Sequence, residues 1–446
     1  MKIKSKLTED FVSSFSFDQR LSVFDILGSI AHVKMLGKTR IILSVEAGKI
    51  IKGLNSILKD INNGKKIPKA EDIHYAIEKE LIKRIGPIGG KMHTARSRND
   101  QTALDLRLYA RYEVMAIKDL LYDLIEAITK KAEKNIGVIM PGYTHLQHAQ
   151  PVLFSHYILA YAWMFQRDIE RLYDYMFRVN VMPLGSAALA GTSFPIDRNY
   201  TAKLLEFSKV SENSIDSVSD RDFVIEFLAV LSITATHLSR LSEELINWSS
   251  SEFDFIKLSN EFTTGSSIMP QKRNPDMAEL VRGKTGKVYG NLMAILTVMK
   301  GLPLAYNRDM QEDKPPLFDA VDTIKDCLGV MAPMVFSMEI KPESMYNSTK
   351  KGFLCATELA DYLTKKGMPF RTSHGIVKNI VEYCVKNDKE LIDLSIKELK
   401  AFSVLFDDKA KLLLDPEKIV NLKKSQGGTS VSSVKKQIAG LKELLK

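Results

Sequence analysis

A chain of 446 residues, 45% hydrophobic and 26% charged, holds too much apolar material for a disordered protein and too many residues for one ordinary core of roughly 100–200. Its 63 basic and 54 acidic residues leave a net charge of +9. Lysine is spread along the whole length, without the single patch of a nucleic-acid reader. Three cysteines without paired spacing argue against a disulfide framework or a zinc cage. With no signal-like leader and no run near the roughly 20 apolar residues of a membrane span, the chain reads as cytoplasmic, with no nucleic-acid and no membrane partner.

Residues 1–98 read as short helical pieces punctuated by Gly37, Gly53, Gly64, Pro68 and Gly86-Pro87. A polar island follows, His93-Thr94-Ala95-Arg96-Ser97-Arg98-Asn99-Asp100-Gln101. It suits either a solvated turn or an anion site at a helix N-terminus, where free N–H groups and arginines meet a carboxylate. Apolar residues at three- and four-residue spacing then predict a first long helix over 102–134. Met140 to Pro151 reads as a polar loop holding His145 and His148. His145 there is open to two readings, a satisfied structural histidine or a proton-transfer group. A zinc reading of His145, His148 and His156 lacks any carboxylate or thiolate between Pro141 and Ala162.

Helical spacing resumes over 153–181 and 221–248, the second and third long helices. The third has few charges between Phe227 and Leu238. A helix apolar all round needs burial on all sides, which suggests burial against other subunits. The richest loop follows: Thr264-Gly265-Ser266-Ser267-Ile268-Met269-Pro270-Gln271-Lys272-Arg273-Asn274-Pro275-Asp276. It predicts Asn274 as N-cap and Pro275 as first residue of a fourth long helix ending near Met299. A hydroxyl beside a cation fits proton abstraction next to a carboxylate, the cation holding the charge that builds there. The polar stretch Tyr306 to Lys314 opens a fifth long helix over 316–336, and residues 350–446 return to short pieces with Gly352, Gly367, Pro369 and Gly427-Gly428. The expected fold is all-α: a central bundle of five long helices over 99–349, shared in a tetramer. Two smaller helical domains, 1–98 and 350–446, flank it. No metal-ligand cluster or G-x-G-x-x-G loop is visible, so neither metal nor organic cofactor is expected.

The loop from Gly265 to Pro275 resembles the signature G-S-S-x-M-P-x-K-x-N-P of the fumarase/aspartase superfamily. Gln271 is similar to the argininosuccinate lyase branch. Ser97-Arg98-Asn99-Asp100-Gln101, Gly142-Tyr143-Thr144-His145-Leu146-Gln147 and Leu304 through Lys314 resemble that family too. So do Glu71-Asp72-Ile73-His74, Pro183-Leu184-Gly185 with Pro195-Ile196-Asp197-Arg198, and Ala356 through Leu363; the match ends at Gly427-Gly428-Thr429. The resemblance implies cleavage of argininosuccinate to arginine and fumarate by a homotetramer. Each of its sites would draw the Asn99, His145 and Ser266 segments from three subunits.

By the same resemblance Ser266 is the base that removes the Cβ proton and His145 the candidate acid for the leaving nitrogen. Lys272 steadies the aci-carboxylate, and Glu279 pairs with His145. Ser14, Asn99, Thr144, Asn274, Tyr306, Gln311 and Lys314 fall on substrate-binding positions. Three residues depart from the family's usage: Ala95 for glycine, His148 for arginine, Ser186 for a small apolar residue. The competing readings are another fumarate-releasing lyase such as adenylosuccinate lyase, or a non-catalytic protein on a lyase scaffold such as a lens crystallin. The visible presence of every carried-over residue counts against the second.

Overall fold

The computed structural model describes residues 6–445; residues 1–5, weighed above as part of a possible leader, and Lys446 lie outside it. Five long helices dominate: Arg98–Lys134, Phe154–Val179, Asp222–Ser249, Asp276–Met299 and Lys314–Ser337. The all-α expectation holds, and the helix ends lie within four residues of the sequence reading. The first long helix carries Asp100 in its opening turn and Lys131 and Lys134 in its last, each sign opposing the adjacent end of the helix dipole. The fifth absorbs Pro315 and Pro316 in its first turn, where a missing N–H costs nothing.

The chain divides into two compact units. The first comprises Met1–Asp119, Asp168–Ala235 and Thr285–Lys325, the second Leu120–Arg167, Thr236–Lys284 and Asp326–Lys446, so each long helix contributes a stretch to both. The first unit includes the helices Ser22–Lys38, Ser44–Asn62 and Ile73–Ile85. Gly53, read from sequence as punctuation, lies inside one of them. Leu81 presses so close that a Cβ at Gly53 would sit 2.6 Å from its Cδ1. Gly64 and Gly86 do end helices, both at positive φ. The second unit packs its C-terminal helices Ala356–Lys365 and Phe370–Lys386 around Leu359, Leu363, Ile380, Leu399 and Phe406.

Four sequence expectations need correction. Met140 to Pro151 is not an irregular loop: Ile139–Thr144 and Gln147–Leu153 form an antiparallel hairpin. Its alternation was hidden by two prolines and a bulge between Pro141 and Tyr143. Asn274 is no N-cap; it pairs with Thr264 in a two-residue strand, and the fourth long helix starts at Asp276. The third long helix is long and apolar enough, by length and composition, to cross a membrane, with mean hydropathy 1.4 over its best window. More than half of that window is buried within the chain. Along this helix only Asp222, Arg240 and Glu243 are exposed, while Ile225, Ala229, Ile233 and Ile246 are half-buried, so most of its apolar circumference is covered within the chain. The uncovered apolar surface lies instead on the fourth long helix, where Leu280, Tyr289, Met293 and Leu296 are exposed. Its Gly283, Gly286 and Gly290 face open space.

Candidate functional site

In the first unit, backbone and side-chain bonds tie together four stretches distant in sequence. The Ser14 hydroxyl donates to Asp18 Oδ2 at 2.5 Å, and the Ser14 amide donates to Glu71 O at 3.0 Å. Asp18 also accepts the Ile73 amide at 3.1 Å. Burial raises the Asp18 pKa, and the Ser14 bond offsets only part of that rise. Arg308 reaches Val12 O at 2.5 Å and Glu71 Oε1 at 3.2 Å, and Arg98 pairs with Asp72. Ser14, the opening of the first long helix and the Tyr306–Lys314 stretch are thereby held as one polar cluster.

Within it the substrate-position residues differ in availability. Ser14 is buried, while Asn99, Tyr306 and Gln311 are half-buried. Lys314 is 3% exposed and donates to Asp313 Oδ1 at 2.9 Å, while Asp313 Oδ2 accepts from Arg221 Nε at 2.5 Å. Burial alone would raise the Asp313 pKa; Lys314 and Arg221 outweigh it and hold it below the ordinary carboxylate value. Lys314 is thus a fixed member of an ion triad rather than a free cation.

Asn99 donates from Nδ2 to Ala188 O at 2.9 Å. Its neighbour Asp100, which the sequence reading did not single out, accepts the amides of Ser97, Gly185 and Ala187 at 3.0, 2.9 and 2.8 Å. Complete burial pushes its pKa up to about 6 against those three bonds. One carboxylate therefore pins the turn at 185–187 to the start of the first long helix. A clue lay in the motif itself, since an acid in a first helical turn favours nearby free N–H groups. Two of the family departures acquire a physical reading here. Ala95 sits at φ 60°, a conformation that suits glycine. The buried Ser186 hydroxyl is satisfied by Pro183 O at 2.8 Å.

The same unit holds Asp25, His74 and Asp105, all buried, whose ligand-type atoms lie within 4.8 Å of one another. His74 bonds Asp25 through Nδ1 at 3.1 Å and Thr102 through Nε2 at 3.3 Å. Burial, then Asp25, drives the Asp105 pKa well upward, so Asp105 keeps its proton. With the Arg96 guanidinium adding positive charge, this set suits a shared proton better than a metal ion.

In the second unit, Thr144 and His145 are exposed at the tip of the hairpin. His145 and Leu146 form its two-residue turn, both left-handed at φ 55° and 58°. Of the histidines weighed for zinc, His148 spends both ring nitrogens on protein partners. Beside the hairpin lies a cavity of about 380 Å³, whose lining includes Tyr143, Thr144, His156, Tyr157 and Glu244. Glu244 accepts from Tyr157 Oη at 2.5 Å, and burial raises its pKa.

The Ser266 loop is closed at its base by pairing of Thr264–Gly265 with Arg273–Asn274. A contact from Thr264 to Asp276 adds to that closure. Inside the loop the Ser266 Oγ accepts two amides, Ile268 at 3.2 Å and Met269 at 3.0 Å. Two N–H dipoles on one hydroxyl oxygen stabilise negative charge there. Lys272 and Glu279 are exposed. Among the described residues, no hydrogen bond or ion pair of one chain joins Glu279 to His145, or the Ser266 loop to the hairpin.

Residues 2–290 match the family described as Lyase, and residues 353–421 match Argininosuccinate lyase C-terminal. The chain is 56% identical to the argininosuccinate lyase of Geotalea daltonii over 97% of its own length and 95% of that protein's. It is 52% identical to that of Oceanobacillus iheyensis, over 100% and 97%. Among solved structures, an EDDS lyase in complex with formate is similar with TM-score 0.86 and 27% identity, covering 100% of this chain and 91% of that one. A class II fumarase from Schistosoma mansoni, at TM-score 0.76 and 18% identity over 91% of each chain, shares the fold.

Proposed function

This chain belongs to the argininosuccinate lyase family of the fumarase/aspartase superfamily, and we propose that it splits argininosuccinate into L-arginine and fumarate, a step of arginine biosynthesis. The observation that carries the mechanism is the Ser266 hydroxyl under two backbone amides. A serine hydroxyl is a poor base unless its oxygen anion is stabilised, and those amides supply that stabilisation. Ser266 reacts as its alkoxide, its own proton having passed to solvent. It takes the Cβ proton to become a neutral hydroxyl, and the released electron pair passes into the adjacent carboxylate as an aci-carboxylate steadied by Lys272. The pair then returns to form the carbon–carbon double bond as the C–N bond breaks. His145, supported by Glu279, gives the departing guanidino nitrogen its proton. Ser14, Asn99, Thr144, Asn274, Tyr306 and Gln311 hold the substrate, with Lys314 contributing charge from within its ion triad. No metal or organic cofactor takes part, and the setting is the cytoplasm.

The working form is a homotetramer whose sites take the Asn99, His145 and Ser266 segments from different subunits. The exposed apolar and glycine-rich surface of the fourth long helix supports this reading. Purified protein given argininosuccinate should release fumarate, followed by its ultraviolet absorbance; no release refutes the activity. His145→Asn and Ser266→Ala proteins, each inactive, are then unfolded, mixed equally and reassembled. Random mixing restores roughly a quarter of the sites if different chains supply the two residues. No recovery in tetramers of proven mixed mass refutes sharing.

A further inference from the structure

The hairpin that carries His145 turns through two consecutive left-handed residues, neither of them glycine. Two-residue turns of this hand favour Asn-Gly, so His145-Leu146 is strained and persists only if the strands beneath hold it. Two positions below the tip, Tyr143 and His148 face each other across the hairpin. His148 Nδ1 lies 3.1 Å from Lys351 O. A carbonyl only accepts, so Nδ1 carries the hydrogen. The Nε2 of a neutral ring then accepts, and Tyr143 Oη, 3.2 Å away, donates to it. Burial pushes the Tyr143 phenol up to about 12, so it retains the proton this bond needs.

The two rings also lie 5.1 Å apart, and Tyr143 packs edge-on against Phe253 at 5.7 Å. At Nδ1, next to the Lys351 carbonyl, Gly352 at φ +84° comes so close that a Cβ there would stand 2.9 Å from that nitrogen. His148 is thus held at both ring nitrogens, by a phenol at Nε2 and by the Lys351 carbonyl and Gly352 backbone at Nδ1.

We propose that His148 is a positioning residue: its ring fastens the hairpin to the segment at 351–352 and so fixes the strained turn that presents His145. The inference rests on the proposed role of His145 and deepens it. The position where the family usually carries arginine here carries a ring with one donor and one acceptor. Arginine offers donors for both the Lys351 carbonyl and the Tyr143 oxygen, so it is the conservative replacement. Alanine offers neither.

The test measures kcat and KM for argininosuccinate in His148→Ala, His148→Arg, Tyr143→Phe and His145→Asn proteins, each checked for an unchanged unfolding midpoint and oligomer mass. His148→Ala should lower kcat by roughly 10- to 100-fold with KM little changed, the size expected when a reacting group is misplaced. Tyr143→Phe should lower it less, and His148→Arg should restore most of it. A His148→Ala protein with wild-type kcat beside an inactive His145→Asn protein overturns this inference alone. So does a loss that appears only in KM, or one that His148→Arg fails to rescue. Wild-type kcat in His145→Asn overturns the assignment of His145 and this inference with it. A wild-type protein that releases no fumarate refutes the activity itself. Should the alanine variant fail to fold, Tyr143→Phe, which removes one oxygen, decides: unchanged kcat overturns the proposal.

Discussion

The charged groups assigned to the site are handled in opposite ways in the two units. In the first, Arg221, Asp313 and Lys314 are almost completely withdrawn from water and pair through the one carboxylate, and Asp100 is buried under three amides. In the second, His145, Lys272 and Glu279 are exposed, and what organises them is backbone: a left-handed turn, a short strand pair, two amides on one hydroxyl. Burial fixes a charge in one state and one place, which suits recognition of a fixed shape. Groups that gain and lose protons need accessible states, and a rigid backbone can aim them without burying them.

If that division is right, perturbing the second unit's loop costs turnover rather than stability. Ser266→Ala should lower kcat by about 10² to 10⁴ with an unchanged circular-dichroism spectrum and unfolding midpoint. Wild-type turnover would shift the base to Ser267. Lys272→Met should lower kcat by about 10² or more; an effect on KM alone would make it a binding group.

The converse holds in the first unit. Asp313→Ala leaves two buried cations without their carboxylate and should destabilise the fold by about 3–5 kcal/mol, read from denaturant unfolding. A loss below about 1 kcal/mol would mean that the triad is wet and the contrast false.

A smaller effect comes from Asp100. Its folded pKa, about 6, stands above the ordinary 3.8, so the folded state holds its proton to higher pH than the unfolded state. Its contribution to stability is therefore fully present below about pH 4 and declines as pH rises toward 6. The stability difference between wild type and Asp100→Asn should fall across that window and level off above it. A flat difference would contradict the burial of this carboxyl. Smallest of all, Ala95→Gly should raise stability by up to about 1 kcal/mol, because glycine takes a positive φ without a Cβ penalty. A destabilised variant would mean that the left-handed turn is not strained.

What the sequence revealed followed from periodicity. Leu104, Leu121 and Leu124, or Phe227, Leu231 and Leu238, recur at helical spacing and are buried in helices as expected. It failed where geometry depends on contacts far along the chain. Nothing near Gly53 in sequence announces Leu81, and the partner strands of Tyr143 and Asn274 could not be read from local composition. The third helix misled for a related reason: an apolar circumference says that a helix is covered, not by what. The residues assigned to chemistry were legible as a string. Their support was not: Asp18 under Ser14, Asp313 beside Lys314, the amides of Ile268 and Met269 on Ser266.

The Ser266 loop also has a consequence for how the protein ages and how it can be watched. Lys272 and Arg273 sit side by side, both exposed, a few residues beyond the serine. A trypsin-like protease needs an exposed basic residue on an extended, accessible segment, and loop tips are where nicking concentrates. The segment assigned to proton removal is therefore also one that the chain, before its loops meet those of other subunits, exposes to cleavage. A single cut there would separate Ser266 from the helix that begins at Asp276 while leaving the helical scaffold standing. Such a nicked protein would keep its spectrum and its mass under native conditions and lose its turnover. In an ageing preparation, counting folded molecules would then overstate the number of working ones.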